Sequence, residues 1–170
     1  MLSNRDSEGI QKKLVSLLRK KLKNSPLARR LCEKYDEGED FIDTIPVEFQ
    51  PLDVSAKTVN GQILLNSKLL EGDFRDNMRY LIHEFVHCLQ QENGDVGDGS
   101  DGDYLDDPHE VEAFWYQIEG MEDMYSPEEI QEYVDGLMKH HDITGKERKE
   151  KIKELTSEKE PEKPGDKEEK

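Results

Sequence analysis

The chain is predicted to fold as an α+β protein, a small group of strands set between helices. Three observations predict it. Apolar residues recur at helical spacing near the N-terminus, an Asn60-Gly61 pair separates two short β-type runs, and two later segments open with proline at a first helical position.

Ile10, Leu14, Leu17, Leu18 and Leu22 form one helical stripe, with Ser7 as the expected cap. Ser25-Pro26 then supplies a cap and first position for a second helix reaching about Tyr35. Nine Lys and Arg residues between Lys12 and Lys34 make both helices basic, and they are expected to pack beside the acidic middle of the same chain, Tyr80 to Met138. An acidic connector runs from Asp36 to Asp43.

The run from Pro46 to Pro51 alternates like a strand, and Lys57–Val59 and Gln62–Leu65 flank the Asn60-Gly61 turn. Asp73 caps a helix from Phe74 to about Asn93, closed by Gly94. Asn93–Asp103 is a Gly/Asp loop. Its Gly97-x-Gly99-x-Asp101 faintly resembles one turn of a calcium-binding repeat but lacks the stacked copies such turns need. Asp107-Pro108 opens a helix to about Gly120, and Ser126-Pro-Glu-Glu129 is a capping box that starts a helix to about His140. Thr144 starts a last helix to Leu155, and the stretch from Thr156 has no apolar residue and is expected to lack fixed structure. The chain thus divides into basic N-terminal helices (1–45), a core (46–142) and a charged tail (143–170).

The 170 residues carry a net charge of −16, with 33% hydrophobic and 38% charged residues. All of that net charge sits between Tyr80 and Met138, where 17 acidic residues meet no Lys or Arg. Such a field repels phosphate backbones and attracts cations, so this core is not expected to bind nucleic acid, and a partner peptide is expected to be basic. No apolar stretch approaches the roughly 20 residues of a membrane span. The N-terminus places acidic residues where a signal peptide has its apolar run, and two cysteines, Cys32 and Cys88, suit a reducing compartment; a cytoplasmic location is expected.

The chemistry centres on His83-Glu84-Phe85-Val86-His87, an HExxH. Residues four apart on a helix lie within about 40° of each other, so two imidazoles stand side by side and can clamp Zn²⁺, with Glu84 beside them as a general base. A catalytic zinc site needs a third protein ligand and an open position. A third histidine six residues on is absent, since Asn93 occupies that position, so the ligand must come from the next helix. Glu110 and Glu112 are about 200° apart, so one of them faces the metal. Glu110 shares its face with the small Ala113, which allows close helix approach, whereas Glu112 stands with Trp115 and Tyr116. Glu110 is the favoured ligand, and the competing reading makes it the second half of a capping box with Asp107.

These motifs resemble the gluzincin class of zinc metallopeptidases, with thermolysin-like architecture. His83-Glu84-x-x-His87 and Glu110-Val-Glu-Ala113 carry the resemblance, which covers roughly residues 47–141 and suits minimal single-domain members such as short peptidases of phages and bacteria. It implies a zincin-like domain in which a short hairpin or sheet precedes the HExxH helix and a glutamate-bearing helix follows. It further implies zinc on His83, His87 and Glu110, peptide-bond hydrolysis with Glu84 as general base, and Ile63–Asn66 as the strand edge that takes a peptide or protein substrate. Many members place Asp or Asn after the small residue to bond a zinc-binding histidine. Phe114 stands there instead, so Asp106, Asp107 or Glu112 is expected to take that part. Tyr104, His109, Tyr116, His140 and His141 are candidate oxyanion donors. Cys88 is expected to be a small core residue. The competing function is a binding or structural module that keeps the fold without catalysis.

Overall fold

The computed structural model describes residues 4–94 and 105–164, with side chains from residue 7 onward. It is α+β, and its contacts divide it into two units, residues 1–94 and 95–170. The Gly97–Asp101 turn and Tyr104 lie outside the described residues.

In the first unit, helices α1 (Asn4–Lys23) and α2 (Pro26–Lys34) precede strands β1 (Val47–Gln50), β2 (Ala56–Val59) and β3 (Gln62–Asn66), and helix α3 (Phe74–Glu92) follows. The first helix begins before Ser7, which therefore lies inside it and is no cap. Leu18 and Leu22 are fully buried while Ile10 and Leu17 are about half exposed, so the inward stripe is confined to the helix's second half. Ser25 caps α2 by accepting from the Ala28 N–H at 3.2 Å. The ion pairs described for these basic helices run to the acidic connector and not to the acidic middle: Lys23 pairs with Asp43 at 2.5 Å and Arg29 with Glu39 at 3.3 Å. The hydrogen bond to Asp43 holds the Lys23 ammonium above its ordinary pKa.

The sheet order is β1-β3-β2, with β1 parallel and β2 antiparallel to β3. The β2–β3 turn has φ +49° at Asn60 and +76° at Gly61, the two positive values that a tight two-residue hairpin needs. Ile63, Leu64 and Leu65 are all buried, as suits a strand covered on both faces. This central place corrects the expectation that Ile63–Asn66 is a substrate edge, because both of its sides are already paired. Asn66 explains the insertion. Its side-chain amide donates to the carbonyls of Leu52 and Val54, both at 2.9 Å, and so pins the loop that carries the chain from one outer strand to the other. A cleft of about 840 Å³ runs along α1 and β1, and no residue of the HExxH lines it.

In the second unit, α4 (Pro108–Met121), α5 (Pro127–His140) and α6 (Gly145–Leu155) enclose a core of Leu105, Phe114, Ile118, Val134, Met138, Ile143 and Leu155. The Ser126–Glu129 capping box forms with both of its reciprocal bonds. From residue 156 to 164 the chain forms no helix or strand. The Trp115 indole N–H donates to the Ser157 carbonyl at 2.8 Å, and a buried indole donor that finds a backbone acceptor holds a polar segment in place. Among the described residues, no helix is long and apolar enough to cross a membrane.

Candidate metal centre

Helix α3 carries the HExxH because its ends are well marked. Asp73 accepts from the Arg75 N–H at 2.8 Å, and Gly94 takes φ +76° just past the last turn. Leu81, Ile82, Phe85, Val86 and Leu89 bury the helix, and the motif sits among them with His83 and Glu84 buried and His87 partly exposed. Two polar contacts fasten the β2–β3 hairpin to this helix. The Thr58 hydroxyl bonds Glu84, and the Gly61 N–H donates to Gln91 Oε1 at 2.8 Å.

The Nε2 atoms of His83 and His87 stand 3.3 Å apart, with ring centroids at 4.9 Å. Two nitrogens bound tetrahedrally at about 2.0–2.1 Å to one zinc ion are themselves separated by roughly 3.3–3.4 Å. The pair is therefore spaced as ligands of one ion. His87 Nδ1 lies 2.7 Å from Gln90 Oε1. An amide oxygen accepts only, so a hydrogen bond here requires the Nδ1–H tautomer, which leaves the lone pair on Nε2. His83 and His87 in the first unit and Glu110 in the second supply a His-His-Glu donor set that could hold a metal ion. Two imidazoles and one carboxylate are a donor set that suits zinc, so the residues fit the metal the sequence anticipates.

Glu110 lies in the first turn of α4, where the helix's positive end favours a carboxylate, and it is buried. The cap bond at this end runs from the His109 N–H to Asp107 Oδ1 at 2.9 Å, and Asp107 also meets His109 Nδ1 at 3.0 Å. Glu112 is buried on the same helix and is not part of the potential ligand group. Ala113 is fully buried, and Phe114 belongs to the second unit's apolar core, which accounts for an aromatic ring where a polar residue was anticipated.

Glu84 Oε1 lies 3.1 Å from Thr58 Oγ1, on the outer strand β2. Of the anticipated partners for the histidines, Asp106 pairs with Lys151 at 3.5 Å and Asp107 with His109. Among the described contacts, His87 meets Gln90, one helical turn away. Sequence reasoning missed both Gln90 and Thr58. The i, i+3 spacing from His87 could have pointed to Gln90, but nothing local marks Thr58.

Among the candidate oxyanion donors, Tyr116 is fully buried with its ring edge-on to Trp115 at 4.9 Å. His140, the last residue of α5, and His141, its C-cap, meet edge-on at 5.0 Å. Burial lowers the His141 pKa, His140 adds to the shift, and the charges of Glu110 and Asp142 oppose it. Cys88 is buried with Sγ 3.9 Å from the Gly61 carbonyl oxygen, and burial pushes its thiol up to about 12, as suits an inert core residue. Compared with protein families, curated proteins and solved structures, the chain matches none.

Proposed function

We propose that this protein is a zinc-dependent peptidase in which His83, His87 and Glu110 hold the metal and Glu84 is the general base. The observation that carries the reading is the 3.3 Å approach of the two Nε2 atoms, with Glu110 as the third donor of a set that could hold a metal ion. Zinc bound to such a donor set supplies a Lewis acid, which polarises a carbonyl and brings the pKa of a water from 15.7 to about 7.

The rest belongs to the chain's own residues. Glu84 follows His83 directly, and its carboxylate takes a proton from the attacking water and hands it to the leaving nitrogen. Proton transfer of this kind contributes about 10²–10⁴-fold. Thr58 holds one oxygen of that carboxylate at 3.1 Å, which limits its rotation. Because β2 is an outer strand and carries Thr58, an extended peptide pairing along β2 brings its backbone past Glu84. The acidic run between Tyr80 and Met138 favours basic peptides.

Zinc per chain, measured by elemental analysis on tag-free protein, tests the reading. One zinc in the native protein, lost or much weakened in Glu110→Ala and kept in Glu112→Ala, is the expected result. Native protein that takes up no zinc when supplied with it would overturn the proposal.

A further inference from the structure

Gln90 is 2% exposed, and burying a primary amide is costly unless its polar atoms are bonded. Its Oε1, an acceptor, lies 2.7 Å from His87 Nδ1, and the three-residue spacing places the two side chains one above the other on α3. This bond does two things to the imidazole. It selects the tautomer with a bare Nε2, and it fixes the rotation of the ring about its side-chain bonds. The bare Nε2 then stands 3.3 Å from His83 Nε2, within reach of the same ion.

We infer that Gln90 is a positioning residue for the metal centre, holding His87 in the tautomer and orientation that bind the ion. The inference rests on the metal-centre reading above. Histidines that bind zinc commonly donate their second N–H to a carboxylate, a backbone carbonyl or water. A buried amide does the same orienting work without bringing a second negative charge to the site. A divalent ion held by two neutral imidazoles and one carboxylate then keeps a net positive charge, which strengthens its pull on a carbonyl oxygen.

Two measurements on the full-length chain test this without relying on turnover. The first is zinc affinity by competition with a chromophoric chelator, for native protein, Gln90→Met and Gln90→Glu. Loss of a partner to a metal-binding histidine typically weakens binding about 10–100-fold. Gln90→Met is expected to show such a loss, and Gln90→Glu, which restores an acceptor, to bind at least as tightly as native. Native-like affinity in Gln90→Met would overturn the inference while leaving the metal centre standing. Failure of the native protein to bind zinc would remove the metal centre and this inference together, so the two failures are distinguishable.

The second needs no variant, so it stands even if Gln90→Met does not fold. Nitrogen-15 chemical shifts of the His87 ring in the metal-free native protein report which nitrogen carries the proton. The Nδ1–H tautomer is expected, and an Nε2–H tautomer would overturn the inference.

Discussion

Thr58 Oγ1 stands 3.1 Å from the Glu84 carboxylate and 3.1 Å from the same residue's backbone carbonyl oxygen, although 26 positions separate the two residues in the chain. One hydroxyl proton is shared between two acceptors, so a single side chain fastens the outer strand to the helix and steadies the proposed general base. A hydrogen bond to a charged group contributes about 1.5–3 kcal/mol. Thr58→Val is therefore expected to lower kcat by on the order of tenfold or more while KM and zinc content stay as in the native protein. Thr58→Ser keeps the hydroxyl and is expected to keep most of the activity. Steady-state kinetics of the two variants check this, and equal kcat values would show that the contact is structural.

Glu84→Gln separates binding from turnover. It retains shape and polarity next to His83 but removes the base, so zinc per chain is expected to be unchanged. Cleavage of a quenched fluorescent peptide rich in Lys and Arg is expected to fall about 10²–10⁴-fold. Native protein that cleaves an acidic peptide faster than the basic one would refute the charge argument for substrate choice.

Burial pushes the two thiols up from the usual 9.0, Cys32 to about 11 and Cys88 to about 12. A raised pKa in the folded state means that the folded chain keeps protons the unfolded chain has lost. The associated stability is fully present below about pH 9 and is lost as pH rises toward about 11–12. Both thiols are expected to resist alkylation at pH 8 in native protein and to react rapidly once it is unfolded. Urea unfolding at pH 8 and at pH 10.5 is expected to show lower stability at the higher pH, with a smaller drop in Cys88→Ala.

The hairpin turn and the α5 cap make separate predictions for stability. Gly61 has φ +76°, and a Cβ added there would meet nothing within 4 Å, so the cost of Gly61→Ala is that of the backbone conformation alone. Left-handed backbone costs a residue with a Cβ about 1–2 kcal/mol, the expected loss in denaturant unfolding. Ser126→Ala removes the side chain that accepts from the Glu129 N–H at 3.1 Å and is expected to cost about 1 kcal/mol.

Much of the local structure was legible. Asp73 and Gly94 bracket α3, the Ser126–Glu129 box opens α5, and Asn60-Gly61 makes the tight turn, each close to where the residues indicated. Misreadings fell where the deciding partner is distant. Ser7 has capping chemistry, yet α1 continues past it to Asn4. Ile63–Asn66 reads as half of a hairpin and does form one, but no local pattern announces that β1 pairs with its other side in parallel.

The sequence by itself determined the helices and their caps, the hairpin turn, and the presentation of His83 and His87 on one helical face. These depend on residues within about four positions of each other, where helix and turn geometry leave few choices. Tertiary structure alone decided that β3 is the central strand, that Thr58 is bonded to Glu84, and that Phe114 belongs to the second unit's core. It also buried Gln90 against His87, a rotamer choice that spacing permits but does not impose. Strand order, side-chain rotamer and burial are set by packing between segments far apart in the chain, and packing energy has no local signature for a sequence to display.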